Sequence, residues 1–304
     1  MVDATDHGAR RRLMATAFSK TYLRQNWEGI VRDKIRLAVT KMKEEARQLG
    51  KMDVLKWWTL MTTDVATHLM FGESFHMIEQ GKKDEYIRVL EMALQGGGIG
   101  SELPLVRAIG QYLPFEPSRT LFGGRHYLQE KAHIAVKNAY APGNEKDLFA
   151  HMIHEAEKGL HLDETDVELE AGALIIAGSD TTAVSLTYLV WCVLSRPELT
   201  GLLCTELKQL PQGYCDRDLE ALPVLNAVIE ETVRLYGAAP GGMPRQKPTE
   251  PEYLGGHLIP AGQRSQLRLT HYIVTPGSFP ILSCEFSMIN NTGEGRLISE
   301  LLQV

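Results

Sequence analysis

The sequence predicts a mainly α-helical fold, with small β elements appearing only after Pro240. Three observations carry that expectation. Apolar residues recur three and four apart through most of the first 236 residues. Capping residues bracket those stretches, with Ser19 and Asp53 at starts and Gly50 and Gly72 at ends. Beyond Pro240, EYLGG followed by HLIPAG has the pattern of a tight hairpin.

A first helix follows Ser19, carries Leu23, Trp27, Ile30, Ile35, Val39 and Met42, and ends near Gly50. Asp53 opens DVLKWWTLMTTDVATHLMFG, which is apolar on most faces and stops at Gly72; Trp57 and Trp58 within it read as core. A short helix over 84–95 is expected to end at Gly96-Gly97-Gly98, because each glycine inside a helix costs about 1 kcal/mol relative to alanine. A loop rich in proline and glycine then reaches Gly124, followed by helices over 125–140 and 147–158. Leu162-Asp163-Glu164-Thr165 leads into LEAGALIIAGSDTTAVSLTYLVWCVL, residues 169–194. Pro197 closes that helix and suits the first turn of the next. Helices over 197–210 and 218–236 complete the series.

The 304 residues are 44% hydrophobic and 23% charged with a net charge of −6, enough for a large core or two modest domains. A mildly acidic chain without a domain-scale basic patch gives no footprint for a nucleic-acid partner. Cys192, Cys204, Cys215 and Cys284 form no CxxC pair or framework and read as reduced thiols of an intracellular protein. The opening MVDATDHGARRR is polar and does not read as a signal peptide. Residues 171–194 are apolar enough to suggest a membrane span, but Asp180 near the centre would cost about 2.5–3.5 kcal/mol there. A buried core helix is the better reading.

The same helix holds the most informative stretch. Ala177-Gly178 interrupts it, and Asp180-Thr181-Thr182 follows. A helical glycine and a carboxylate in apolar surroundings are both locally costly, and such violations side by side mark functional sites. The small residues admit something to the helix backbone, and the acid and alcohol face it. Glu231 and Arg234 lie three apart on one helix face and can pair, either as a partly buried lock within VLNAVIEETVRLY or as a solvated pair. PGGMPR places Arg245 beyond a turn, and DHGARRRLMATAFS places His7 and Arg11 four apart on one face. Basic side chains converging from distant segments suit a ligand with carboxylates or phosphates; each alone also fits a surface charge. His151-Met152-Ile153-His154-Glu155 resembles a metal motif only loosely, its spacing differing from HExxH and HxxEH, and reads as a solvated face. Gly96-Gly97-Gly98-Ile99-Gly100 follows a helix rather than a strand, so it is not a dinucleotide fingerprint.

Taken in order and spacing, AGSDTT, EETVR, PGGMPR and GGHLIPAG resemble the cytochrome P-450 family of haem-thiolate monooxygenases. DHGARRRLMATAFS is similar to the family's helix that contacts the haem propionates, and LSRPEL and DLEALPVLNAVIEETVRLY to its connecting segments. The resemblance implies an incomplete cytochrome P-450 fold core, mainly α with small β elements, over residues 1–262. It implies that Ala177 and Gly178 leave room for dioxygen beside haem b, and that Asp180 and Thr181 are the catalytic relay delivering protons for O–O cleavage. Glu231 and Arg234 become the structural ion pair, and His7, Arg11 and Arg245 hold propionates. The implied reaction inserts one oxygen atom of O2 into a small organic substrate, with electrons from an NADPH-dependent reductase. Segment style suggests a eukaryotic, filamentous-fungal member acting in secondary metabolism; intact eukaryotic relatives are anchored at the endoplasmic reticulum.

The family holds its iron through a cysteine thiolate, carried in a glycine- and arginine-containing loop. Cys284, in FPILSCEFS, lacks those neighbours, and the other cysteines fall before the expected position. The axial ligand is therefore not found, and the chain is expected to be inactive as written. The alternative is a non-catalytic remnant without haem, acting as a binding or regulatory helical protein. The family's membrane anchor, first helices and most of its sheet are expected ahead of DHGARRR and are not seen. Residues 263–304 fit no periodicity. Back-translated and read one base toward the start, QRSQLRLTHYIVTPGSFPI is compatible with TTVSTQAYTLHRDP and a later FPDP, which resembles the family's own continuation. The tail is thus expected to be an out-of-frame translation of a normal coding region.

Overall fold

The computed structural model describes residues 8, 11, 14, 15, 17–110, 121, 148, 150, 164–239, 243–246, 250–254, 256–262 and 264–267. They form a mainly helical protein with two short antiparallel strand pairs. The chain divides into two compact units, Met1–Ala183 and Val184–Val304. The helices expected over 125–140 and 147–158 lie outside the described residues, apart from helical Leu148 and Ala150.

In the first unit, helix α1 spans Lys20–Leu49. The Ser19 hydroxyl accepts the Tyr22 N–H at 3.3 Å, and Gly50 ends the helix at φ 69°. Helix α2, Val54–Phe71, starts with the Asp53 carboxylate accepting the Lys56 N–H at 2.9 Å and stops at Gly72, φ 70°. Both helices match their expected limits because side-chain caps and left-handed glycines satisfy the orphan groups of their ends. Glu45 of α1 ties the two together. It accepts from the Asp53 N–H, the Lys56 ammonium and the Trp57 indole N–H at 3.1, 2.9 and 2.7 Å. Burial raises its carboxyl pKa, but these bonds prevail and hold it below the usual range.

Short helix α3, Met77–Gln80, has no capping side chain of its own. Asp64, fully buried in α2, does the capping: its two oxygens accept the Met77 and Ile78 N–H groups, both at 3.0 Å. The Lys34 ammonium stands 3.7 Å from the same carboxylate, so the buried charge is both hydrogen-bonded and paired. Trp27, Met42, Trp57, Leu60, Met61, Met77 and Ile78 are buried here. Trp57 is core as expected, whereas Trp58 is half-buried.

Helix α4 runs Glu85–Glu102. It passes straight through Gly96-Gly97-Gly98, where a stop was expected. A Cβ on Gly96 would sit 1.8 Å from the Leu121 carbonyl oxygen, so the glycine admits a close backbone crossing inside a helix. Helix α5, Pro104–Gly110, replaces part of the expected loop. Helix α6, Glu164–Leu194, contains the boundary between the units at Ala183 and Val184.

The second unit continues with α7, Pro197–Leu207, α8, Asp216–Glu220, and α9, Pro223–Leu235. The single helix expected over 218–236 is thus two, because Pro223 starts a new helix and cannot donate to the preceding turn. Val193, Leu203 and Val228 form its core, flanked by Leu189, Leu199, Val224 and Leu225. Glu206 of α7 caps α9 from outside, accepting the Val224 and Leu225 N–H groups at 2.8 and 2.9 Å.

The expected hairpin is present as β2, Glu252–Leu254, paired with β3, His257–Ile259, through Gly256 at φ 83°. A second pair joins β1, Met243–Gln246, to β4, Arg264–Leu267. The β4 strand lies past Gly262, where the sequence showed no periodicity, because four residues are too few to display it.

Candidate functional site

Helix α6 carries the stretch singled out by the sequence. One residue advances a helix by about 100°, so residues two apart point in opposite directions. The burial pattern follows that geometry: Ser179 is buried, while Ala177 and Asp180 are exposed and Gly178 and Thr181 are half-buried. The buried side packs on α2. A Cβ on Gly178 would meet the Ala66 Cβ at 3.5 Å, an ordinary contact, and the Thr62 hydroxyl lies 2.9 Å from the Ser179 carbonyl oxygen. Gly178 therefore faces α2 with room for a methyl group, and Ala177 is the small residue on the open side.

On that open side the Thr181 hydroxyl donates to the Ala177 carbonyl at 2.6 Å. Back-bonding of this kind bends helices slightly and fixes the hydroxyl against the backbone. The Asp180 carboxyl is open to solvent yet crowded by its neighbours. Burial pushes its pKa above the usual carboxylate range, the Glu91 carboxylate adds to the rise, and Lys83 opposes it. Lys83 and Glu91 themselves form an ion pair. Sequence reasoning missed Thr62, Ala66, Lys83 and Glu91. The signal for Thr62 was the recurrence of threonine at 59, 62, 63 and 67 along a helix that is apolar on most faces; all four are buried.

The remaining candidates fall as follows. Arg11 is helical and exposed, and His7 lies outside the described residues. Glu231 and Arg234 of α9 make a two-point ion pair, with both nitrogen–oxygen distances 2.5 Å. The bond to Glu231 raises the guanidinium pKa further. Arg245 sits in β1 opposite Ser265 of β4. The loose metal motif at His151–Glu155 also lies outside the described residues.

A haem-thiolate centre needs an ionised cysteine facing open space. Cys192 is buried in α6 and burial pushes its thiol up, the opposite of what a thiolate ligand requires. Cys204 sits within α7, and Cys215 is the N-cap of α8, its sulfur accepting a backbone N–H. Cys284 lies outside the described residues. Among the described residues no group of three or more His, Cys, Asp or Glu could hold a metal. The described residues hold the small residue, acid and alcohol of α6 together but place no cysteine in a glycine- and arginine-containing loop, so they do not complete a haem-thiolate site. No helix among them is long and apolar enough to cross a membrane.

Comparison with known proteins bears on the family of the whole chain. A family model described as Cytochrome P450 matches residues 3–280. The cytochrome P450 monooxygenase tazI of Aspergillus terreus is 36% identical over 91% of this chain and 58% of its own length. The cytochrome P450 monooxygenase cypX of Dothistroma septosporum is 39% identical over 86% of this chain and 52% of its own length. The chain spans about half the length of the curated relatives it matches. The crystal structure of a cytochrome P450 (CYP102L1) superposes with a TM-score of 0.74 at 15% identity, covering 89% of this chain and 62% of that one. The cytochrome P450DA heme domain gives 0.72 at 18% identity, over 89% and 58% respectively. Fold, motif order and family model agree that the chain belongs to the cytochrome P450 family.

Proposed function

We propose that residues 177–181 are the oxygen-side site of a haem monooxygenase that inserts one atom of O2 into an organic, secondary-metabolite substrate. The observation that carries this reading is the open face of α6. There Ala177, Asp180 and Thr181 project away from the α2 contact made by Gly178 and Ser179. A carboxyl whose pKa is raised, but which still meets solvent, suits collecting a proton and passing it on. The Thr181 hydroxyl, held on the Ala177 carbonyl, is fixed beside it. Family membership supports a reaction that uses haem b and O2, with electrons from an NADPH-dependent reductase. The relatives from Aspergillus and Dothistroma, each a cytochrome P450 monooxygenase by name, support a fungal monooxygenase.

The state of the cysteines favours a second reading of the chain as written, a non-catalytic remnant. Cys192 and Cys204 lie within helices and Cys215 caps one, and none of the three stands in a glycine- and arginine-containing loop. The two readings part at the tail. In the monooxygenase reading, 263–304 is an out-of-frame translation, and the shifted frame encodes the missing cysteine loop. Sequencing the transcript and gene across codon 262 tests this. A glycine- and arginine-containing cysteine loop in the shifted frame is the expected result. Its absence from every frame would leave the remnant.

A further inference from the structure

Thr62 lies one helix away from the proposed site and nothing in the family motifs singles it out. It is buried in the middle of α2, 5% exposed, and Ser179 opposite it is 4% exposed. The Thr62 Oγ1 is 2.9 Å from the Ser179 carbonyl oxygen, 2.9 Å from the Trp58 carbonyl oxygen and 3.3 Å from that of Thr59. A hydroxyl has one proton to give. Two oxygens at 2.9 Å with no hydrogen between them would repel, so that proton is shared between Trp58 and Ser179. A mid-helix carbonyl has a second lone pair besides the one used in the helix ladder, and the Thr62 hydroxyl occupies it. The contact reaches Ser179 between Gly178, where an added Cβ would lie 3.5 Å from the Ala66 Cβ, and Asp180.

We infer that Thr62 is a positioning residue for the proposed oxygen-side segment: its bond to the Ser179 carbonyl fixes the rotation of α6. The geometry follows from helix pitch. With Ser179 turned to α2, Ala177 and Thr181 lie about 160° away and Asp180 about 100° away. A rotation of α6 by one residue's angle would turn Asp180 toward α2 and away from Glu91 and Lys83. Thr63 and Thr67 are chemically identical neighbours on the same helix, equally buried, but their hydroxyls bond only back to Thr59 and to Thr63 and Asp64 of α2. They share the bulk and polarity of Thr62 without a hydrogen bond to α6 among the described residues. That contrast separates positioning from simple core packing. The inference rests on the proposed role of residues 177–181, but its contact is independent of haem.

The test is native-state hydrogen exchange on the purified chain, read on peptides covering 177–185, with urea midpoints to correct for global stability. Thr62→Val removes the hydroxyl and keeps the branched volume. It is expected to speed exchange of the α6 amides following Ser179 about three- to tenfold beyond the global change, the range for one net buried hydrogen bond. Thr62→Ser is expected to restore protection. Thr63→Val is expected to leave α6 exchange at the level set by global stability. Thr62→Ala, which cannot overpack, carries the same expectation as Thr62→Val if the latter does not fold. Equal α6 exchange in the Thr62 and Thr63 variants, or no rescue by Thr62→Ser, would overturn the inference. Failure of the monooxygenase reading would leave these rates unchanged, so the two failures are distinguishable.

Discussion

Individual side chains in the candidate site behave differently from what their types alone suggest. Gly178 looks in the sequence like a gap left for a ligand, yet its bare side faces Ala66 at ordinary contact distance. Gly178→Ala should therefore be accommodated and raise stability by about 0.5–1 kcal/mol through the better helix propensity of alanine, measured by urea unfolding. Asp180 makes the opposite point. Its raised pKa means the folded state binds the proton more tightly than the unfolded chain does. Its ionised form therefore opposes folding once the pH exceeds the unfolded value, and the penalty is complete above the folded one. Asp180→Asn is expected to shift the urea midpoint upward at pH 7, with the gain vanishing as the carboxyl protonates in acid. The motif identities were legible in the sequence, because acid, alcohol and small residue stand together. Their directions were not, because Ala66 and Thr62 come from a helix more than a hundred positions away.

At the scale of elements, two acids act as distant helix caps. Asp64 serves α3 and Glu206 serves α9, each accepting two backbone N–H groups from a helix that has no side-chain cap of its own. Such bonds to a charged acceptor contribute about 1.5–3 kcal/mol each when buried. Asp64→Ala is accordingly expected to cost about 3 kcal/mol or more and to expose α3 to exchange ahead of global unfolding. The more solvent-open Glu206→Ala should cost less. The α1–α2 contact has a pH dependence of its own. His68 packs edge-on against Trp27 with ring centroids 5.8 Å apart. Burial lowers its pKa, and Lys34 and His76 lower it further, against Asp64 and Glu73. Below about pH 6.5 the unfolded chain takes up the proton first, so stability falls with pH until the folded pKa is passed. His68→Gln is expected to flatten that slope in urea midpoints measured between pH 7 and pH 5. Capped helices α1 and α2 could be placed from sequence to the residue. The run of glycines in α4 could not, because its cause is the backbone at Leu121 crossing close to Gly96.

For the whole molecule, periodicity and turn chemistry placed α6, α7 and the β2–β3 hairpin, and the family resemblance named the fold they belong to. The β1–β4 pair escaped both, because β4 lies beyond Gly262 where no periodicity shows. The family match runs to residue 280, and the chain covers about half of its relatives. What the described residues provide is α6 held against α2 through Gly178 and Ser179, with Cys192 buried and its thiol pushed up. The most direct measurement is a reduced carbon monoxide difference spectrum on the purified 304-residue chain after incubation with haem. The expected result is no thiolate-type Soret band. A thiolate-type band would contradict the account, because it would require one of the four cysteines to ligate iron after all.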